Sequence, residues 1–251
     1  MADPIHQFQL VKIGQPLFKI GATDVVLTQS SLYMIGAVAF ITLFMMMGTA
    51  GRAMVPGRLQ SMVEMTYEFV ASTVRSSAGH DGMKFFPMVF SLFIFILVLN
   101  LAGMLPYGFT VTSHIVITAA LAITVFLTVL IYGLYRHGFH FFNLFVPKGV
   151  PIYILPLIVG IEILSFISRP ISHSVRLFAN MLAGHITLQV FAGFIILLGT
   201  GLGVIGWIGG MLPFLLVVIL FALETLVAFL QAYVFAILTC IYLNDAIHPG
   251  H

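Results

Sequence analysis

Charge is what this chain has least of. Only 7% of its 251 residues are Asp, Glu, Lys or Arg, against roughly a quarter in soluble domains. With 61% hydrophobic residues and a mean hydropathy of +1.14, that scarcity excludes an ordinary soluble domain and predicts a polytopic membrane protein. The formal net charge of +2 is too small a basic excess to imply a nucleic-acid partner. Cys240 is the single cysteine, which excludes an internal disulfide and leaves a redox role with little support. There is no phosphate-cradling Walker A run and no dense set of metal ligands, so no ATP chemistry and no cofactor are expected of this chain. The opening MADPIHQFQL lacks the basic start and apolar run of a signal peptide, so the spans themselves are expected to direct insertion.

What is present is long apolar sequence, and it predicts an all-α membrane protein of about five spans forming a single membrane domain. Residues 1–29 are mixed in polarity and form an N-terminal segment. Residues 30–138 hold spans over Leu32–Ala50, Phe85–Leu105 and Ile115–Tyr135. Between the first two lies RLQSMVEMTYEFVASTVRS. It sets Gln60, Glu64, Glu68 and Arg75 on one face and Met62, Met65, Phe69 and Val70 on the other, as in an amphipathic helix lying along the interface. Residues 150–245 hold two runs, Ile152–Leu198 and Met211–Leu243, each too long for an upright helix across ~30 Å of hydrocarbon. A Gly-rich stretch, GTGLGVIGWIGG, joins them, so a strongly tilted hairpin is expected. Arg52, Arg58, Arg75 and Lys84 follow the first span and Arg136 and Lys148 follow the third, whereas the connections near 106–113 and 199–210 hold no Lys or Arg. That distribution predicts an outside N-terminus and a cytoplasmic C-terminus.

The polar exception lies inside the first overlong run, at EILSFISRPISHSVRLFANMLAGHITLQ. At about 100° per residue, Glu162, Ser165, Arg169, Ser172, His173, Arg176, Asn180 and Ala183 fall within about 60° of one line. His185 falls on the opposite side, and Gln189 follows it one turn later. Two polar faces displaced along one helix suggest two aqueous routes that do not meet. Pro170 supports a different reading, in which SRPISHSVR is a short basic loop between ordinary spans. On pattern alone the two readings stand level.

The run RLFANMLAGH, preceded by SRPISHSV and followed by ETLVAFLQAYVFAIL, resembles the a-subunit family of the rotary F-type ATP synthases. The likeness extends to PIHQF and NLAGMLP. It implies a proton-translocating stator subunit, not itself catalytic, with two offset half-channels. Arg176 would face a rotating c-subunit ring whose essential carboxylate it meets. A guanidinium stays charged where a lysine can lose its proton, so Arg176 would also block a direct proton leak. Further implied partners are b-type peripheral stalk subunits, the F1 sector and membrane lipids, with H+ as the translocated ion and Na+ as the alternative. The implied location is a bacterial inner membrane, or the mitochondrial one.

The second long run carries Glu224, Ala228, Gln231, Phe235 and Tyr242 near one face, and a Glu224–His185 pair could relay protons. In many bacterial members the acid and the histidine are exchanged between these positions; the arrangement here resembles the mitochondrial and alphaproteobacterial form. Gln231 matches a family position facing Arg176. Glu162, about 21 Å before Arg176, fits a cytoplasmic route with Ser165 and Ser172, and Asn180 is a channel-lining or orienting candidate. Asn100 and His114, near the outer ends of their spans, could line the outer entrance, with capping or interfacial hydrogen bonding as the plainer role. Arg169 is expected to snorkel towards the cytoplasmic surface. Competing readings are a secondary transporter in which Arg176 binds an anionic substrate, and a structural subunit of a respiratory complex. Inverted repeats and paired broken helices would mark the transporter, and neither is seen.

Overall fold

The structure is a computed structural model that describes residues 18–20, 23–51, 56–105, 108–138, 141, 145–146, 153–201 and 203–247. Most of the N-terminal segment and of the 139–152 linker lies outside the described residues. Six helices make up nearly all of the rest: α1 (Gln29–Ala50), α2 (Arg58–Ala78), α3 (Phe86–Gly103), α4 (Ile115–His137), α5 (Leu155–Gly201) and α6 (Gly203–Ile247). Five helical segments are long and apolar enough to cross a membrane, and α2 is not among them. The all-helical expectation thus describes the membrane body. One small feature precedes it, an antiparallel pair of three-residue strands, β1 (Phe18–Ile20) and β2 (Thr23–Val25), with Lys19 opposite Asp24 in register.

The helix α3 is apolar all round, and such a helix is stable where other helices surround it. Val89, Phe93 and Ile96 are accordingly buried in a core shared with α2, α4 and α6, and Leu99 is buried in a second cluster with Ala37 of α1, Phe109 and Val111. α1 starts with a reciprocal cap: the Ser31 N–H donates to Thr28 Oγ1, and the Thr28 N–H donates to Ser31 Oγ. A 3-10 turn, Asp81–Phe85, leads into α3, and a second, Val111–Ser113, precedes α4.

The amphipathic character of α2 is confirmed, but its packed face differs from the expected one. Val63, Val70, Ala71, Val74 and Ala78 are buried, while Met62 and Met65 are 56% and 71% exposed. Small and β-branched side chains let the α2 backbone come close to α3 and α6; the longer methionines point away. Phe69 does reach inward, its ring lying 5.5 to 5.9 Å from those of Phe93, Phe229 and Tyr233.

The last two helices are 47 and 45 residues long, so each extends about 70 Å at 1.5 Å per residue. Pro170 and Pro213 lie inside them without ending them, which removes the basic-loop reading of 168–176. The turn between them is shorter than the Gly-rich stretch suggested. Helix resumes at Gly203, whose φ of +58° suits a residue without Cβ, and continues through 203–210. The buried residues of α5 run from Phe166 to Met181, and none follows in its last twenty residues. The rest of the hairpin packs on itself and exposes Phe194, Leu197, Trp207, Ile208 and Met211. The bundle therefore supports the base of the hairpin, and its far half projects.

Far from the turn, the hairpin is closed by Arg169, which donates to Asp245 at 2.6 Å. The guanidinium also sits over the Tyr242 ring (5.1 Å) and the Phe166 ring (5.5 Å). Arg169 is thus held by α6, an anchor the sequence did not reveal. Asp245 had drawn no attention in the sequence. A double-mutant cycle tests this clamp: Arg169→Ala and Asp245→Ala should each lower thermal stability in detergent. The coupling energy should be about 0.5–3 kcal/mol, so that the double variant loses less than the sum. Strict additivity would show that the two residues act separately.

Candidate functional site

The polar residues of α5 divide into three groups according to what covers them. On the open face Ser165, Ser172, Arg176, Asn180 and Ala183 are exposed, and Glu162 is half-buried. This is the line that the sequence places around Arg176. Among the described residues no carboxylate lies within salt-bridge reach of Arg176, and its side chain makes no hydrogen bond. One turn further on, Asn180 Nδ2 donates to Gln231 Oε1 at 2.9 Å. Gln231 therefore meets Asn180 rather than Arg176, and the bond ties α5 to α6 beside the guanidinium.

The second group faces α6. Glu224, Ala228, Gln231 and Phe235 are buried, so the stripe on the second long helix is turned inward. His185 Nε2 lies 3.6 Å from Glu224 Oε1, with side-chain exposures of 14% and 6%. That spacing is beyond a direct hydrogen bond. Both Glu224 oxygens and His185 Nε2 are buried without hydrogen-bond partners among the described residues, as is Gln189 Oε1 one turn on. Space for the carboxylate comes from Gly184: a Cβ there would stand 2.6 Å from Glu224 Oε1. Sequence reading passed over Gly184, although a glycine beside a histidine that faces a carboxylate is a signal of close approach.

The third group lies at the end of the bundle where α3 finishes and α4 begins. Asn100 is fully buried, and its Nδ2 donates to the Ala228 carbonyl at 3.2 Å, one turn along α6 from Glu224. Its Oδ1 has no partner among the described residues, nor have Thr112 Oγ1 and His114 Nε2. His114 stands at the N-cap of α4 but makes no side-chain cap; its ring stacks on Phe109 at 5.1 Å. Burial lowers its pKa, disfavouring the imidazolium. The Thr118 and Ser174 hydroxyls, 3.1 Å apart, join α4 to α5 nearby. Thr112, Thr118 and Ser174 were not singled out in the sequence, because isolated hydroxyls in apolar runs usually bond their own helix backbone, as Thr124 and Thr128 do.

The arrangement can do two things chemically. It offers a fixed cation on an open face of the hairpin, and it offers a shielded acid–imidazole pair approached by a string of unpartnered polar atoms. No group of three or more His, Cys, Asp or Glu among the described residues could hold a metal ion.

Residues 31–244 match the model of the family described as ATP synthase A chain. The chain is 65% identical over 252 residues to the ATP synthase subunit a of Bradyrhizobium diazoefficiens, with 99% of each chain covered. It is 64% identical to that of Rhodopseudomonas palustris strain BisB18 over 251 residues, with 100% of each covered. The protein of the same name from Nitrobacter winogradskyi is 61% identical over 254 residues, again with 100% of each covered. A match of this length and identity places the sequence among them: the chain belongs to the ATP synthase A chain family.

Proposed function

We propose that this chain is the proton-conducting stator subunit of an ATP synthase membrane sector, with its open hairpin face set against a ring of c subunits. The observation that carries this reading is Arg176, an exposed cation without an acidic partner among the described residues, midway along a 47-residue apolar helix. Such a charge is costly in hydrocarbon, so its partner comes from another chain. A rotating carboxylate brought alongside would be favoured in its ionised form, which promotes proton release, while the permanent guanidinium blocks direct passage. The projecting half of the hairpin supplies the long apolar flank that such a ring would meet. A secondary transporter would need a substrate enclosed by the chain, and Arg176 is on the outside.

Two half-routes follow from the grouping of polar residues. Glu224, His185, Gln189, Asn100, Thr112 and His114 form the route from the end where α3 meets α4. Glu162, Ser165 and Ser172 lead from the other end towards Arg176. That second end carries Lys84, Arg136 and His137, with His137 Nε2 3.1 Å from the Ile247 carbonyl. It is the cytoplasmic end by the positive-inside rule, which puts the N-terminus outside and the C-terminus inside. The F1 sector and the b-type stalk are the remaining partners, the ion is H+, and the membrane is the bacterial inner one.

Arg176→Lys should abolish ATP-driven proton pumping in membrane vesicles while the complex still assembles, because a lysine offers neither the permanent charge nor the planar donor set. Normal acidification by that variant would sink the barrier reading. At the shielded pair, His185→Ala and Glu224→Gln should each impair pumping by about tenfold or more. The exchanged double variant, His185→Glu with Glu224→His, should recover more activity than independent losses allow. Strictly additive losses would leave the two as separate structural residues. Gly184→Ala should also slow pumping, by displacing Glu224 from the imidazole. Wild-type rates there would show that the close approach is not needed.

A further inference from the structure

One buried imidazole is used by neither half-route described above. His173 stands on α5 one turn before Arg176 and one turn after Arg169, and it is only 3% exposed. Its ring packs edge-to-face with Phe235 at 3.8 Å between centroids and lies 5.9 Å from the Tyr242 ring. Leu177, Phe235 and Ala236 around this level of the hairpin are buried and apolar, so a leucine would satisfy the packing. Instead the position carries an imidazole whose Nε2 is buried without a hydrogen-bond partner among the described residues. An unmet buried polar atom carries an uncompensated desolvation cost and calls for an explanation.

The neighbours of His173 supply one. Asp245 binds Arg169 at 2.6 Å, Tyr242 lies over that guanidinium, and the His173 ring comes next along the same seam between α5 and α6. One turn beyond it is Arg176. Asp245, Arg169, Tyr242 and His173 therefore follow one another along the seam from its clamped end, and Arg176 stands one turn beyond on the open face. The exposed line of Ser165 and Ser172 runs beside it on the outer face. The charged and titratable groups facing His173 are Arg169 and Arg176 from its own helix and Tyr242 and Asp245 from α6. From α4, among the described residues, the Thr118 hydroxyl reaches the neighbouring Ser174.

We propose that His173 is a proton-handling residue of the cytoplasmic half-route, passing protons between the clamped end of the α5–α6 seam and the carboxylate that meets Arg176. This rests on the stator reading above. Nε2 takes up one proton with its free lone pair, giving an imidazolium, and then gives up one proton to the next acceptor, so the ring returns to its starting charge. An imidazole can take up and release a proton in this way, which leucine or an amide cannot.

The test uses the intact complex in inverted membrane vesicles, comparing His173→Leu, His173→Gln and Glu162→Gln. Readouts are ATP-driven acidification, passive proton conduction after removal of F1, and the effect of added free imidazole on both. His173→Leu should assemble normally yet conduct protons about tenfold more slowly, and imidazole should restore a measurable part of that loss. His173→Gln should behave in the same way, since it keeps polarity and bulk but cannot carry a proton. If His173→Leu fails to assemble, the Gln variant decides. Parental conduction by His173→Gln, or a loss that imidazole does not relieve, makes His173 a packing residue and overturns the proposal. If Glu162→Gln is slowed while His173→Leu conducts as the parent, His173 is out and the half-route stands. If neither variant is slowed, the cytoplasmic half-route itself is wrong, and the role of His173 falls with it.

Discussion

A charge placed in hydrocarbon has to be met by an opposite charge, by water or by another polar group, and the hairpin of α5 and α6 is built around that requirement. Arg169 and Arg176 lie seven residues apart, almost in line on α5, and are treated in opposite ways. Arg169 is answered within the chain, by the Asp245 carboxylate and the Tyr242 ring. Arg176 is left open, with no acid in reach among the described residues. The sequence two turns earlier shows that this fold can neutralise an arginine when neutralisation serves it. That contrast is what the proposed stator reading rests on, in which the charge that answers Arg176 would come from another chain.

The rest of the fold supports that exposure. α3 and the packed face of α2 hold the base of the hairpin, and α4 reaches α5 through Thr118 and Ser174. Beyond Met181 the buried residues of α5 cease, so the outer half of the hairpin is stiffened by its own two helices. The Asn180–Gln231 bond and the His185–Glu224 approach lie where α5 leaves the bundle. Polar cross-links there fix the register of the two helices more specifically than interchangeable apolar contacts would. A slip of one residue in either helix would remove both.

Much of this could be read from composition and period. The spans, the overlong final pair and the polar line through Arg176 follow from apolar run lengths and helical spacing. What could not be read was contact between distant segments. Asp245 sits at the end of an apolar helix and looks like an ordinary terminal charge until Arg169 is found beside it. Gly184 looks like one more membrane glycine until Glu224 fills its missing Cβ. In α2 the period identified an amphipathic helix and put Val70 on its packed face, but hydrophobicity added Met62 and Met65 there and passed over the smaller Val63, Val74 and Ala78. Close approach to α3 and α6 rewards small side chains, and in a membrane the large apolar ones can face lipid at no cost. The turn at Gly203 illustrates the same limit, since it depends on one backbone conformation rather than on glycine content.

The wheel also missed a distinction that packing makes. It put His173 on the same polar line as Ser172 and Arg176, as if all three shared one aqueous face. With an α6 partner in place, displacements of about 60° from Arg176 and about 100° from Ser172 around the helix are enough to separate them: Ser172 and Arg176 remain open, while His173 turns into the seam against Phe235. A single stripe in the sequence thus becomes two environments in the fold, one facing whatever covers the hairpin and one enclosed by the hairpin itself. The open one is free to meet the partner proposed above, because among the described residues no acid competes for Arg176. The enclosed one can hold a proton-exchanging group at a fixed distance from Arg176, because the clamp at Arg169 and the bond at Asn180 pin the two helices on either side of it.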